Sequence, residues 1–227
     1  MAVPMHKVKI AQIISRQVLT VGPDTPLSEA VAVMAGTRIS CLVVTVEGKP
    51  VGIFTERDLL KAAGRGVTLD GSPVRELMTS RVVTIPGNIS LYQAYDLLLT
   101  NKIRHHVMVD SAGKVVGVLS QSDLIDHLGF EYFVELRKIE QVMSIKVVTV
   151  AGKIPVREVL RRMAKEPLSC VVVAAKGRPL GILTERDVAR LLMEGADLAV
   201  VPVEEVMSRP VLTVSPQTTV HQAAAIM

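Results

Sequence analysis

The chain has two cysteines, no tryptophan, and only three Phe and three Tyr in 227 residues. Cys41 and Cys170 are too few for a disulfide framework, which points to a reduced, cytoplasmic setting. So few aromatic rings cannot form the stacking platforms that hold single-stranded nucleic acid, and a net charge of +4 does not make up for them, so no nucleic-acid partner is expected. Long apolar runs are missing as well. None exceeds Cys170–Ala175, whereas a membrane helix needs about 20 residues. The mean hydropathy of +0.39 therefore reports a Val-rich core, and no membrane partner is expected. The opening residues, Met-Ala-Val-Pro-Met-His-Lys, carry no apolar signal core. There is no Walker A loop, no G-x-S-x-G and no H-E-x-x-H, so enzymatic chemistry within the chain is not expected. His105, His106, Asp110 and His127 do not have zinc-like spacing, so no metal site is expected.

What the chain does have is internal repetition. Val18-Leu19-Thr20-Val21 recurs as Val82-Val83-Thr84-Ile85, Val147-Val148-Thr149-Val150 and Val211-Leu212-Thr213-Val214. Gly-Ile-Phe-Thr-Glu-Arg-Asp at 52–58 recurs as Gly-Val-Leu-Ser-Gln-Ser-Asp at 117–123 and Gly-Ile-Leu-Thr-Glu-Arg-Asp at 181–187. A fixed period of this kind marks a repeat architecture. Within each unit the β-branched run predicts a strand (18–21, 82–85, 147–150, 211–214). A helix follows. Thr25 is placed to cap it, with Pro26 in its first turn, and the apolar positions Leu27, Ala30, Val31 and Met34 lead to a stop at Gly36. Buried strands are expected at 42–46, 107–109 and 171–174, then a turn, a third strand and a second helix. The fold class is α/β (α+β), built from tandem β-α-β-β-α units. The fourth copy stops at Met227 inside its first helix, which we read as a fragment of a longer protein or an end that borrows a partner.

The period, the opening Val-x-x-Val-Met (Val203 to Met207) and the G-h-h-[ST]-x-x-D run together resemble the cystathionine-β-synthase (CBS) domain. The resemblance covers nearly the whole chain. It implies CBS repeat one at 1–70, repeat two at 71–130 paired with it, a linker helix at 131–143, repeat three at 144–200 and a truncated repeat four at 201–227. It also implies Bateman modules that require no cofactor, bind AMP, ADP, ATP or S-adenosylmethionine, form a homodimer, and regulate an attached or associated output domain.

Thr55-Glu56-Arg57-Asp58 has two readings. As a capping box it satisfies helix amides and needs no ligand. As a site, the helix start offers amides to phosphate and the carboxylate accepts ribose hydroxyls. The resemblance implies the second reading for Thr55 and Asp58, Ser120 and Asp123, and Thr184 and Asp187. Arg57 and Arg186 are candidate phosphate partners, while repeat two has Ser122 there. Counting back from the glycines aligns Ser40-Cys41, His105-His106 and Ser169-Cys170, with one extra residue upstream in repeat two. Ser40, Ser169, Arg104 and His105 join the candidate ligand contacts, Arg104 as a cation in reach of phosphate. The first-strand threonines Thr20, Thr84 and Thr149 complete the set.

Tyr132, Leu136, Ile139 and Met143 follow helical spacing and predict a connecting helix, in a stretch similar to linkers that lead into GGDEF-type signalling domains. Arg157, Arg161 and Lys165 form a basic stripe, read as a solvated helix face. The function expected is an adenine-nucleotide sensor. The alternative is a ligand-free dimerisation or docking scaffold for an output domain such as a GGDEF-type enzyme.

Overall fold

The computed structural model describes residue 10 and residues 18–69, 71–123, 137–166 and 168–226. Three three-stranded sheets recur in one pattern. In repeat one, β1 (Thr20–Val21) runs parallel to β2 (Cys41–Val46), which pairs antiparallel with β3 (Lys49–Thr55). Repeat two has β4 (Thr84–Pro86), β5 (His105–Val109) and β6 (Val115–Ser120), and repeat three has β7 (Thr149–Val150), β8 (Cys170–Ala175) and β9 (Arg178–Thr184). Thr20 lies opposite Val43, Thr84 opposite Val107 and Thr149 opposite Val172, so the repeated threonines share one register position. Each hairpin carries an irregularity at the same place, after Val44, Met108 and Val173.

The helices are α1 (Leu27–Thr37), α2 (Glu56–Arg65), α3 (Leu91–Asn101), α4 (Val156–Lys165), α5 (Glu185–Met193) and the short α6 (Val203–Val206) and α7 (Val220–Ala224). Pro26 sits just before α1 and no side chain caps that helix, so Thr25 does not act as expected. A different chain segment does the capping. Leu27 N–H donates to Ser72 O and Val74 N–H to Thr25 O, so the segment leading into repeat two closes the start of repeat one's helix. The segment leading into repeat four does the same for repeat three, through Val156 N–H to Val201 O and Val203 N–H to Ile154 O. The exchange is mutual: Ile139 N–H donates to Thr218 O, and Ile10 N–H to Ile89 O. Ser90 and Thr219 add capping boxes of their own. Helix α1 also runs through Gly36, and Arg38, at φ 56°, takes the left-handed position that ends it.

Two expected elements differ. Residues 211–214 join no sheet, because no second strand stands beside them as β2 stands beside β1. Residues 131–136 of the expected connecting helix, and 124–130 before it, lie outside the described residues. Its end is a single 3-10 turn, Ile139–Gln141, docked on residues 216–219.

The main core joins repeats one and three. Helix α2 packs on α4 and α5, and α1 on α5. Val31, Leu59, Leu60, Val159, Leu160 and Leu191 are all buried in this one cluster. Gly64 permits the close crossing of α2 and α4, since a Cβ there would press on the backbone of Leu160 and Arg161. Arg161 Nε then donates to Gly64 O at 2.9 Å, and Arg157 lies against Gly66. The basic stripe keeps Arg161 and Lys165 exposed, as a solvated face does, yet two of its cations, Arg157 and Arg161, also meet the C-terminal end of α2, where exposed carbonyls favour positive charge. Repeats one and two meet through their sheets, with Val115 N–H donating to Gly48 O at 2.9 Å and Val43 and Val107 buried on that side.

The glycine and methionine landmarks are two halves of one contact. A Cβ at Gly52 would overlap Met78, and one at Gly181 would overlap Met207. Gly52→Ala should lower stability by about 1–3 kcal/mol through overpacking. Adding Met78→Ala should cost less than the sum of the single changes, a coupling that urea denaturation of the four-member cycle will read.

Candidate functional site

Helix α2 begins where β3 ends, so Thr55 caps it while Asp58 occupies the third helical position. Thr55 N–H and Oγ1–H donate to Asp58 Oδ2 at 3.1 and 2.7 Å, and Asp58 N–H donates to Thr55 Oγ1 at 3.3 Å. The same box forms in the other repeats: Ser120 N–H and Oγ–H donate to Asp123 Oδ2 at 2.8 and 2.6 Å, and Thr184 N–H and Oγ1–H to Asp187 Oδ2 at 2.8 and 2.8 Å. All three bonds of the Asp58 box fall on Oδ2 or on the threonine, so Oδ1 takes no part in it. Burial raises the Asp58 carboxyl above its ordinary range, opposed by the Thr55 hydrogen bonds and by the charges of Lys61 and Arg104.

Strand pairing corrects the alignment of the second-strand edge. Cys41, His105 and Cys170 stand opposite Thr55, Ser120 and Thr184, which makes them the equivalent residues and aligns Ser40, Arg104 and Ser169. The extra residue of repeat two lies in its longer hairpin turn, Asp110–Lys114, and not upstream. His106 consequently falls at the core position of Leu42 and Val171. It is fully buried, with the backbone of Val83 and Ala94 as its polar surroundings and neither ring nitrogen in a well-aligned hydrogen bond.

Arg104 is the electrostatic centre. It donates from Nη2 to Glu185 Oε2 at 2.8 Å, and its charge acts on Cys41, Glu56, Asp58 and His105. Arg57 reaches the other oxygen of the same carboxylate, Nε to Oε1 at 2.6 Å, and its Nη1 donates to Met163 O at 3.3 Å. Glu185 is 3% exposed and lies between these two guanidiniums. The related pair, Arg186 with Glu56 at 3.5 Å, is looser, because Arg186 is 72% exposed. Burial also raises Glu56, opposed by Arg186. Asp58, Arg104 and Glu185 thus bring repeats one, two and three to one place.

Ser40 Oγ and His105 Nε2 are 2.8 Å apart. Burial, then the charge of Arg104, lowers His105 to about 4, so it is a neutral hydrogen-bonding ring and the cation at this edge is Arg104. Burial, then Asp123 and Glu56, raises the Cys41 thiol to about 12, which removes it from thiolate chemistry. Thr20, Thr84, Thr149 and Ser169 are exposed at the strand edges, and Ser169 O accepts from Glu185 N–H. Asp187 Oδ1 faces Arg190 Nη2 at 3.4 Å and Ser208 Oγ at 3.5 Å, so the repeat-three carboxylate has a different set of neighbours from Asp58. The reading of the sequence missed Glu56 and Glu185. The available signal was the Glu-Arg pair in repeats one and three set against Gln121-Ser122 in repeat two, because a reciprocal contact between two repeats needs both partners in both.

His105 gives the site a pH signature. Its folded-state value lies below the ordinary 6.5, so the unfolded chain binds the proton more readily and stability falls as pH drops from about 6.5 to about 4, by about 2–3 kcal/mol. His106 acts in the same direction, and the raised Asp58 and Glu56 in the opposite one. Melting temperature measured against pH should show a shallower decline in His105→Gln than in the parent chain.

The CBS-domain family model matches residues 10–65, 74–129, 139–194 and 203–227. Inosine-5′-monophosphate dehydrogenase of Thermoplasma acidophilum is 36% identical over 118 residues, which cover 52% of this chain but only 23% of that enzyme. The uncharacterised protein MJ1225 of Methanocaldococcus jannaschii is 26% identical over 96% of this chain and 87% of its own length. Its crystal structure, described as that of a proposed archaeal homologue of γ-AMPK, superposes with a TM-score of 0.87 at 23% identity, covering 97% of this chain and 89% of that one. The CBS-domain pair of protein MJ0100, solved with 5′-methylthioadenosine and S-adenosyl-L-methionine, covers 54% of this chain and 96% of its own, with a TM-score of 0.50 and 24% identity. The four matched segments, the recurring β-α-β-β-α register and the mutual capping of neighbouring repeats agree, and this chain belongs to the CBS-domain family.

Proposed function

We propose that the chain is a regulatory module that binds an adenosine ligand at the junction of repeats one, two and three. The observation that carries this reading is Asp58: a buried carboxyl at a helix start whose Oδ1 stands outside the capping box, with the charge of Arg104 acting on it. A carboxylate of this kind accepts ribose hydroxyls, the α2 amides and Thr55 face the sugar-phosphate, and Arg57 and Arg104 supply positive charge for phosphate. Asp123 with Ser120, and Asp187 with Thr184 and Arg186, are the corresponding groups of repeats two and three. The strand-edge residues Thr20, Ser40, Thr84, Thr149, Ser169 and His105 flank the sites. The ligands to try are AMP, ADP, ATP and S-adenosylmethionine, the last of which is held by the MJ0100 pair. Binding across several repeats shifts their relative arrangement only by the ligand's differential affinity for the two arrangements, and that shift is what an attached or associated output domain would read.

A second reading, a docking or dimerisation scaffold, has its own observation. Tyr92, Tyr95 and Leu99 form an exposed stripe on α3. Tyr95 stands where repeats one and three have Val31 and Leu160, both fully buried between those repeats. Thermal unfolding separates the two readings. A ligand at 100 times its dissociation constant should add about 2.7 kcal/mol. Asp58→Asn, which keeps an oxygen for the cap, should stay within about 1 kcal/mol of the parent without ligand and lose the ligand-induced shift. If none of the four compounds moves the transition, and light scattering shows concentration-dependent association that Tyr95→Glu removes, the scaffold is the function.

A further inference from the structure

The carboxylate of Glu185 is held by positive charge that other repeats supply. It belongs to repeat three, yet both of its oxygens face guanidiniums of the other two repeats, Arg57 at 2.6 Å and Arg104 at 2.8 Å. Both adjoin Asp58: Arg57 precedes it in the first turn of α2, and Arg104, after Lys61, acts on its charge. Glu185 Oε1 has no well-aligned hydrogen bond despite its short approach to Arg57, so the clamp is held by charge more than by geometry. The related Glu56 faces a single, mostly exposed arginine at 3.5 Å. Only one of the two reciprocal contacts between repeats one and three is therefore a closed clamp.

We propose that Glu185 is an internal occupant of a phosphate-binding site, and that a phosphorylated ligand seated on Asp58 must displace it. This rests on the adenosine-binding reading above and narrows it to a ligand class and a mode of regulation. Two planar guanidiniums that converge on one carboxylate present donors that also suit a phosphate. A phosphate that takes them leaves Glu185 buried without its counter-charges, so Glu185 must move. The motion loosens the start of α5 from the start of α2, and phosphate binding is thereby coupled to the packing of repeat three on repeat one. An adenosine compound without phosphate makes no such demand and leaves the clamp closed.

The test is isothermal titration of AMP, ATP and adenosine into the parent chain, Glu185→Gln and Glu194→Gln. Glu194 sits in an exposed pair with Arg190 at the far end of α5 and controls for the change in net charge. Removing the competing carboxylate should tighten AMP and ATP by about tenfold, the scale of one charge-assisted hydrogen bond. It should leave adenosine within about twofold, and Glu194→Gln should leave all three so. Should Glu185→Gln fail to fold, hydrogen exchange on the parent chain gives the answer: AMP should speed exchange at residues 163–166 and 185–188, and adenosine should not. Equal affinities of Glu185→Gln and the parent for AMP, or slowed exchange in those segments, overturn the displacement while leaving adenosine binding intact. If AMP, ADP, ATP, adenosine and S-adenosylmethionine all fail to bind the parent, the adenosine reading fails and this inference fails with it.

Discussion

A three-stranded sheet with two helices on one side cannot cover itself. The far face of the sheet and the outer face of the helix pair both need apolar cover, and repeat one obtains both from other repeats. Repeats one and two meet at the sheet face, where Val43 and Val107 are buried. Repeats one and three meet at the helix face, around Val31, Leu60, Leu160 and Leu191. The lead-in segments couple neighbours further, because each supplies the backbone partners for the first helix of the adjoining repeat. Folding of any one unit is in this sense conditional on its neighbours, as expected for architectures whose repeats bury little surface alone.

The same packing decides where charge goes. Each second helix starts at a strand end, so its first-turn acids are carried to the places where repeats converge. In repeats one and three these are Glu56, Asp58, Glu185 and Asp187, all buried. A buried carboxylate is costly unless opposed, and the opposition comes from other repeats: Arg104 from repeat two and Arg57 from repeat one close on Glu185 of repeat three. Repeat two has Gln121-Ser122 where the others have Glu-Arg, and it contributes the cation. The repeats are alike in backbone and divided in electrostatic role.

Much of the backbone was legible beforehand. The threonine and glycine landmarks fall at one register position in each sheet, and the Thr-x-x-Asp and Ser-x-x-Asp boxes form as drawn. The departures have local causes. Pro26 is left uncapped by side chains because residues 72–74 supply the partners. Residues 211–214 stay out of a sheet because a parallel edge strand exists only beside its neighbour. The one-residue error at His105 arose because a strand's side chains alternate, so an insertion misplaced from turn to strand exchanges a site residue for a core residue.

The amino-acid order by itself determined the unit: its period, read from the recurrence of the same letters along the chain, and its β-α-β-β-α succession and capping boxes, which depend on residues a few positions apart. Tertiary structure alone decided which unit faces which, that Arg157 and Arg161 meet a helix end, that His105 is neutral, and that Glu185 is held by Arg57 and Arg104. The physical reason is range. Hydrogen bonds and side-chain periodicity act within a turn or a hairpin and leave their mark on neighbouring letters. Burial and charge depend on what packs alongside, and here that is supplied by residues about 80 to 130 positions away.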